Sequence, residues 1–94
     1  MFGRPRLDFL DIRRFILDSV SEFDYLVKNE TENSAEVDLR INSRNITIRL
    51  SLYRNKKLTV DVTDSYYLLR IPRAEFKDMK SYKQFITDLI PQFC

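Results

Sequence analysis

Apolar residues recur at three- and four-residue steps through the first third of the chain: Phe9, Ile12, Ile16, Val20, Phe23 and Val27. Leu10 and Leu17 widen this stripe, while Asp11, Arg14, Asp18 and Ser21 fall opposite it. A helical period with one apolar face predicts an amphipathic helix of about five turns. Pro5 and Asp8 suit its start, and Lys28-Asn29 mark its end. A polar connector follows at residues 29–34.

The period then switches to two. Val37, Leu39 and Ile41 alternate with Glu36, Asp38 and Arg40. After Asn42-Ser43-Arg44-Asn45, a second run alternates Ile46, Ile48, Leu50 and Leu52 with Thr47, Arg49, Ser51 and Tyr53. After Arg54-Asn55-Lys56, a third alternates Leu58, Val60 and Val62 with Lys57, Thr59 and Asp61. A fourth, Tyr66 to Ile71, stops at Pro72. Alternating runs joined by short polar turns predict an antiparallel meander. Asn fills the turn positions that Gly would take, because it tolerates left-handed backbone. A capping box, Ser81 to Gln84, opens a last helix whose apolar face is Phe85, Ile86, Leu89, Ile90 and Phe93. Pro91 ends or kinks it.

The predicted fold is α+β: helix, four-stranded antiparallel meander, helix, in one domain over residues 1–94 with 1–6 flexible. Each helix has one apolar face and so does the sheet, so both helices are expected on the same side of it. The other face is left to solvent or a partner. Matching apolar positions across strands predicts the register. Joining Ile41 to Ile46 sets Asp38 opposite Arg49, and joining Leu52 to Leu58 sets Arg49 opposite Asp61. Joining Val62 to Tyr67 sets Leu68 beside Asp61 and Arg70 beside Thr59. The open face then carries a row of alternating charge centred on Arg49. Tyr53, Tyr66, Leu68 and Arg70 become the expected protein interface, with Tyr66–Arg70 as an edge strand.

Composition narrows the chemistry. Among 94 residues there are no His, no Trp, one Gly and one Cys. That excludes Ser-His-Asp and Cys-His relays, histidine metal ligands and glycine-rich phosphate loops. A lone Cys forms neither an internal disulfide nor a thiolate zinc site. With 16 Lys+Arg against 14 Asp+Glu, evenly spread, the net charge of +2 does not by itself call for nucleic acid or an anionic membrane. No apolar run reaches the ~20 residues of a membrane span. With no signal-peptide core and one terminal Cys, an intracellular, cytoplasmic setting is expected. Asp61 with Glu75-Phe76-Lys77 loosely matches the acidic pair plus Lys of metal-dependent nucleases. Glu75, however, follows Pro72 and falls outside the predicted strand. No catalytic residue, metal or cofactor is expected.

From Leu58 onward the chain resembles the small Alu-domain RNA-binding subunits of the signal recognition particle. Leu58, Val60, Val62-Thr63-Asp64, Leu69, Asp78, Lys80, Phe85 and Leu89 carry the likeness, and Tyr53-Arg54 before the turn also fits. The resemblance implies a helix, three strands and a helix, heterodimerisation, and RNA contact through basic residues on the open sheet face. Arg40, Lys57 and Arg70 are then the candidate RNA contacts. The chain departs from the pattern in its extra strand at Val37–Ile41. It also departs in having Asp61 and Leu52 where the family has basic residues. The leading expectation is therefore a non-enzymatic protein-interaction module (adaptor, inhibitor or complex subunit). It would dock a protein partner, or a copy of itself, through the open face and edge strand. An RNA-binding subunit is the alternative.

Overall fold

The computed structural model describes residues 7–64 and 71–94, the side chains of Ile71 and Pro72 excepted. Helix α1 (Phe9–Ser19) leads into strands β1 (Asp24–Lys28), β2 (Ser34–Ile41), β3 (Arg44–Leu52), β4 (Leu58–Asp64) and β5 (Ile71–Phe76). Helix α2 (Met79–Leu89) and a 3-10 turn at Ile90–Phe93 close the chain. The strands form one antiparallel sheet in the order β1-β2-β3-β4-β5. The fold is α+β with a meander between two helices, as the hydrophobic pattern predicts, but with five strands in place of four.

The fifth strand comes out of the predicted first helix. Asp8 caps α1 as expected, its side chain accepting from the Leu10 amide. The helix stops at Ser19, well short of Lys28. The hydroxyls of Ser19 and Ser21 donate to the carbonyls of Phe15 and Asp18, competing with continuation of the helix. Beyond this point Phe23, Tyr25 and Val27 fit a period of two as well as Phe23 and Val27 fit a helical one. Pairing with β2 decides between them, because Tyr and Val favour a pleated, half-buried surface.

Ala35, Val37, Leu39, Ile41, Ile46, Ile48, Leu50, Leu52, Leu58, Val60 and Val62 point to one side of the sheet and are buried. They form a single core with Phe9, Ile12 and Ile16 of α1, Val20 directly after it, and Tyr82, Ile86, Leu89 and Phe93. Both helices therefore cover the same face. They are tied together at Tyr82, which is fully buried and donates its hydroxyl to the Ile12 carbonyl at 2.8 Å. Phe15 and Phe76 meet the same ring edge-on, at 5.9 and 6.2 Å between centroids. Burial pushes the Tyr82 phenol above its ordinary range, so it remains a donor. Helix α2 starts two residues before the predicted capping box. Asp78 is its cap, accepting from the Ser81 amide at 2.8 Å, because a carboxylate satisfies the free amides of a first turn. Pro91 sits in the 3-10 turn, where helix α2 has ended.

Register differs from expectation at the β2–β3 turn and on the β4–β5 pair. Ile41 pairs with Arg44 across a two-residue Asn42-Ser43 turn, so Asp38 faces Thr47 and Glu36 faces Arg49. Asn42 and Ser43 both have positive φ (52° and 65°), the signature of the hairpin turn whose twist matches its strands. Arg44, read from sequence as turn, is a strand residue on the helix side. It pairs with buried Asp64 at 2.6 Å and lies over the Phe93 ring. The Leu52–Leu58 register, with Arg49 opposite Asp61, is as predicted. On the last pair, Val62 faces Ile71 in place of the expected Tyr67, and Thr59 faces Glu75 in place of the expected Arg70. The strand continues through Pro72 to Phe76, which an edge position permits.

Two stability outcomes follow. Tyr82→Phe should cost about 1 kcal/mol by losing one buried hydrogen bond, and Tyr82→Ala about 3–5 kcal/mol by opening a cavity between the helices. Ser43→Gly should gain up to about 1 kcal/mol by relieving left-handed backbone at a residue with a Cβ. Chemical denaturation of the three variants checks both.

Candidate functional site

The uncovered face of the sheet is built from the alternate residues of each strand. One row runs across it as Lys28, Glu36, Arg49 and Asp61 in strand register, and Arg73 reaches Asp61 from β5. The signs alternate along the whole row. Arg49 Nε donates to Glu36 at 2.8 Å, Lys28 to Asp38 at 2.9 Å, and Arg73 Nε to Asp61 at 3.1 Å. Lys57 pairs with Glu75, and the Thr47 hydroxyl donates to Asp38. Lys28, Arg49, Lys57 and Arg73 are thus paired with Asp38, Glu36, Glu75 and Asp61, while Arg40 and Asp24, partners in register, form no ion pair among the described residues. Exposed pairs each add little stability, but together they leave the face without a net field.

These contacts set the charge states. Hydrogen bonds from Asn29, then Arg49, hold the Glu36 carboxyl below its usual range. Partial burial opposes ionisation of Asp38, yet the bonds from Lys28 and Thr47 outweigh it and hold that carboxyl low as well. The same Asp38 contact raises Lys28 above its ordinary value.

Two of the exposed apolar residues, Tyr25 and Leu26, lie together on the edge strand β1. Leu26 projects from β1 onto the open face and is 62% exposed. Tyr25, on the opposite face of the same strand, is 43% exposed. No strand flanks the outer side of β1 among the described residues. The direction of its backbone groups follows from the ladder. The Leu52 amide donates to the Asn33 carbonyl, so odd-numbered residues of β2 point to β3. The Thr31 amide donates to the Ser34 carbonyl, so even-numbered ones point toward β1. In register, Asp24, Leu26 and Lys28 bond to β2, and the N–H and C=O groups of Tyr25 and Val27 face outward. A shallow depression of about 470 Å³ adjoins this edge, lined in part by Asp24, Leu26, Asp38 and Arg40.

No protein-family model matches the chain, and no curated protein or solved structure gives a significant match.

The expected site residues divide as follows. Tyr53 follows β3 and is half exposed, beside Lys57 in a depression of about 720 Å³ that Arg73 and Glu75 also line. Arg40 is exposed on the open face near the β1 edge and has no ion-pair partner among the described residues. The structure does not bring Arg40 and Lys57 together, since they lie at opposite ends of the face. Tyr66, Leu68 and Arg70 lie outside the described residues, as does the edge proposed there. Glu75 lies within β5, contrary to the sequence expectation, and on the same face as Asp61. Each of these acids is held by its own cation, and no cluster of three or more metal-ligating side chains occurs among the described residues. Nor is any described helix long and apolar enough to cross a membrane. The β1 edge, with Tyr25 and Leu26, escaped sequence reading because it was assigned to the helix. The signal available was the period-two set Phe23, Tyr25, Val27.

The lowered carboxyl groups carry a sign for pH dependence. Glu36 and Asp38 bind fewer protons folded than unfolded, so their contribution is present above the unfolded values near ~4. It is lost as pH falls through the lower folded values. Melting temperature should therefore drop on acidification below about pH 4. The Asp38→Asn variant should show a shallower drop, read by circular dichroism across an acid series.

Proposed function

We propose that this chain is a small non-enzymatic protein-interaction module that takes up a strand from a protein partner along the β1 edge. The observation that carries the proposal is the outward row of Tyr25 and Val27 backbone groups beside two exposed apolar side chains. Strand addition uses such a row for affinity and the flanking side chains for selectivity. The adjoining open face suits a supporting role. Most of its charges are already paired in cis, so a partner meets a polar surface with little net charge to overcome. The same pairing counts against a nucleic-acid platform, which needs cations free to displace counterions from phosphates.

An RNA-binding subunit remains the second proposal, supported by Arg40, whose guanidinium has no partner ion among the described residues. That reading needs binding which weakens steeply with salt.

The deciding experiment is purification of tagged chain from cells. A protein should co-purify with an ultraviolet absorbance ratio free of nucleic acid. The doubly substituted Tyr25→Ser, Leu26→Lys chain, folded by circular dichroism, should lose it. Co-purification of nucleic acid released by moderate salt, or identical captured proteins from both chains, overturns the proposal.

A further inference from the structure

Strand β1 reads Asp24-Tyr25-Leu26-Val27-Lys28, with an acid at one end, a base at the other and an exposed leucine at the centre. Turned about a two-fold axis through Leu26, the strand complements itself. Asp24 of each copy meets Lys28 of the other, Tyr25 meets Val27, and Leu26 meets Leu26. Building on the edge-docking proposal, we propose that the strand β1 accepts is the β1 of a second copy, giving a two-fold dimer with one continuous antiparallel sheet.

The backbone agrees with the side chains. Tyr25 and Val27 carry the outward N–H and C=O groups, so each Tyr25–Val27 pair across the axis exchanges two hydrogen bonds. The two Leu26 residues form the non-bonded pair, in which side chains approach most closely. Both leucines project onto the same face, where 62% exposure is now unexplained. Lys28 already contacts Asp38 at 2.9 Å, and Asp24 of the second copy adds a second carboxylate to it. Asp24 has no ion pair among the described residues of its own chain. A parallel arrangement would set Asp24 against Asp24 and Lys28 against Lys28, so the charges also select the direction.

The opposite edge of the sheet is built differently. Strand β5 contains Pro72 and breaks register with β4 between Val60 and Val62. Proline and bulges are the devices that blunt an edge. Strand β1 has neither, and its charges sit where a second copy neutralises them. The isologous contact closes at two copies and leaves two blunted β5 edges outermost. Five paired residues per copy make a small interface, so the dimer is concentration-dependent.

The test uses the purified chain alone, in a Cys94→Ser background. Sedimentation velocity over a roughly hundredfold concentration range should show monomer passing to dimer. Tyr25→Pro removes an outward N–H and no bond to β2, and should weaken the dimer about tenfold or more. Leu26→Lys, which sets like charges on the axis, should weaken it comparably. Leu26→Cys should form a disulfide-linked dimer under mild oxidation, because Cα atoms of a non-bonded pair lie about 4.5 Å apart. Thr63→Cys, exposed on the same face but away from β1, should form no such disulfide-linked dimer. Should any substitution disturb folding, the concentration series on the unsubstituted chain and the cysteine pair still decide. A chain monomeric throughout, or Leu26→Cys linking no faster than Thr63→Cys, overturns self-pairing. Capture of a different protein, lost on substituting Tyr25 and Leu26, would then leave the edge-docking proposal standing.

Discussion

Two residues with positive φ, Asn42 and Ser43, close the hairpin between β2 and β3, and the whole sheet depends on the parity they impose. In an antiparallel ladder each residue bonds to one neighbour only, so fixing one pair fixes the direction of every amide across the sheet. With Ile41 against Arg44, odd residues of β2 bond to β3 and even ones bond to β1. It follows that β1 bonds inward through Asp24, Leu26 and Lys28, leaving Tyr25 and Val27 outward. The same turn places Glu36 opposite Arg49 and thereby builds the alternating row. A four-residue turn would have kept the apolar face buried while replacing every cross-strand partner. Burial alone therefore does not determine this surface, and turn chemistry does.

Arg44 shows what holds the tight turn in place. A cation on the helix side of a sheet is costly unless paired. Here Asp64, only 2% exposed, meets it from β4, and Phe93 of the terminal 3-10 turn lies beneath it. The Asn42 side chain donates to the Phe93 carbonyl at 3.1 Å. The end of the chain, the turn and the last residue of β4 are thus joined in one contact. Tyr82 does the same for the helices, bringing α2 onto the Ile12 carbonyl of α1. Two polar contacts spanning distant parts of the sequence set how the helix layer sits on the sheet.

Much of this was legible in the residues. Alternation from Val37 to Val62 placed three strands, and the Leu52–Leu58 pairing placed Arg49 against Asp61. Both helices and their shared face were also readable, because their stripes match the sheet's single apolar side. What was not legible had two physical causes. Periodicity is ambiguous where few residues decide it, so Phe23 and Val27 served a helix as well as a strand. The tie is broken by the backbone of β2, which a local pattern does not contain. Turn length is ambiguous for a different reason. Arg44 reads as polar surface until Asp64, twenty residues away, is known to face it. The first ambiguity hid the edge strand β1, and the second changed the partners along the open face.

The near-absence of glycine takes on a meaning from this arrangement. Left-handed turns are occupied by Asn29, Asn42, Ser43 and Lys56, residues with fewer accessible backbone states than glycine. Asn29 stands directly after β1, and its side chain bonds to Glu36 on β2. That contact pins the end of the edge strand to its neighbour by a side chain as well as by the ladder. An edge held straight and in register loses little conformational freedom when a further strand is added, and rigidity of this kind favours association. The same restraint would hinder a site that must open and close around a substrate. Stiff turns, a largely paired face and a regular edge therefore all favour the proposed strand pairing.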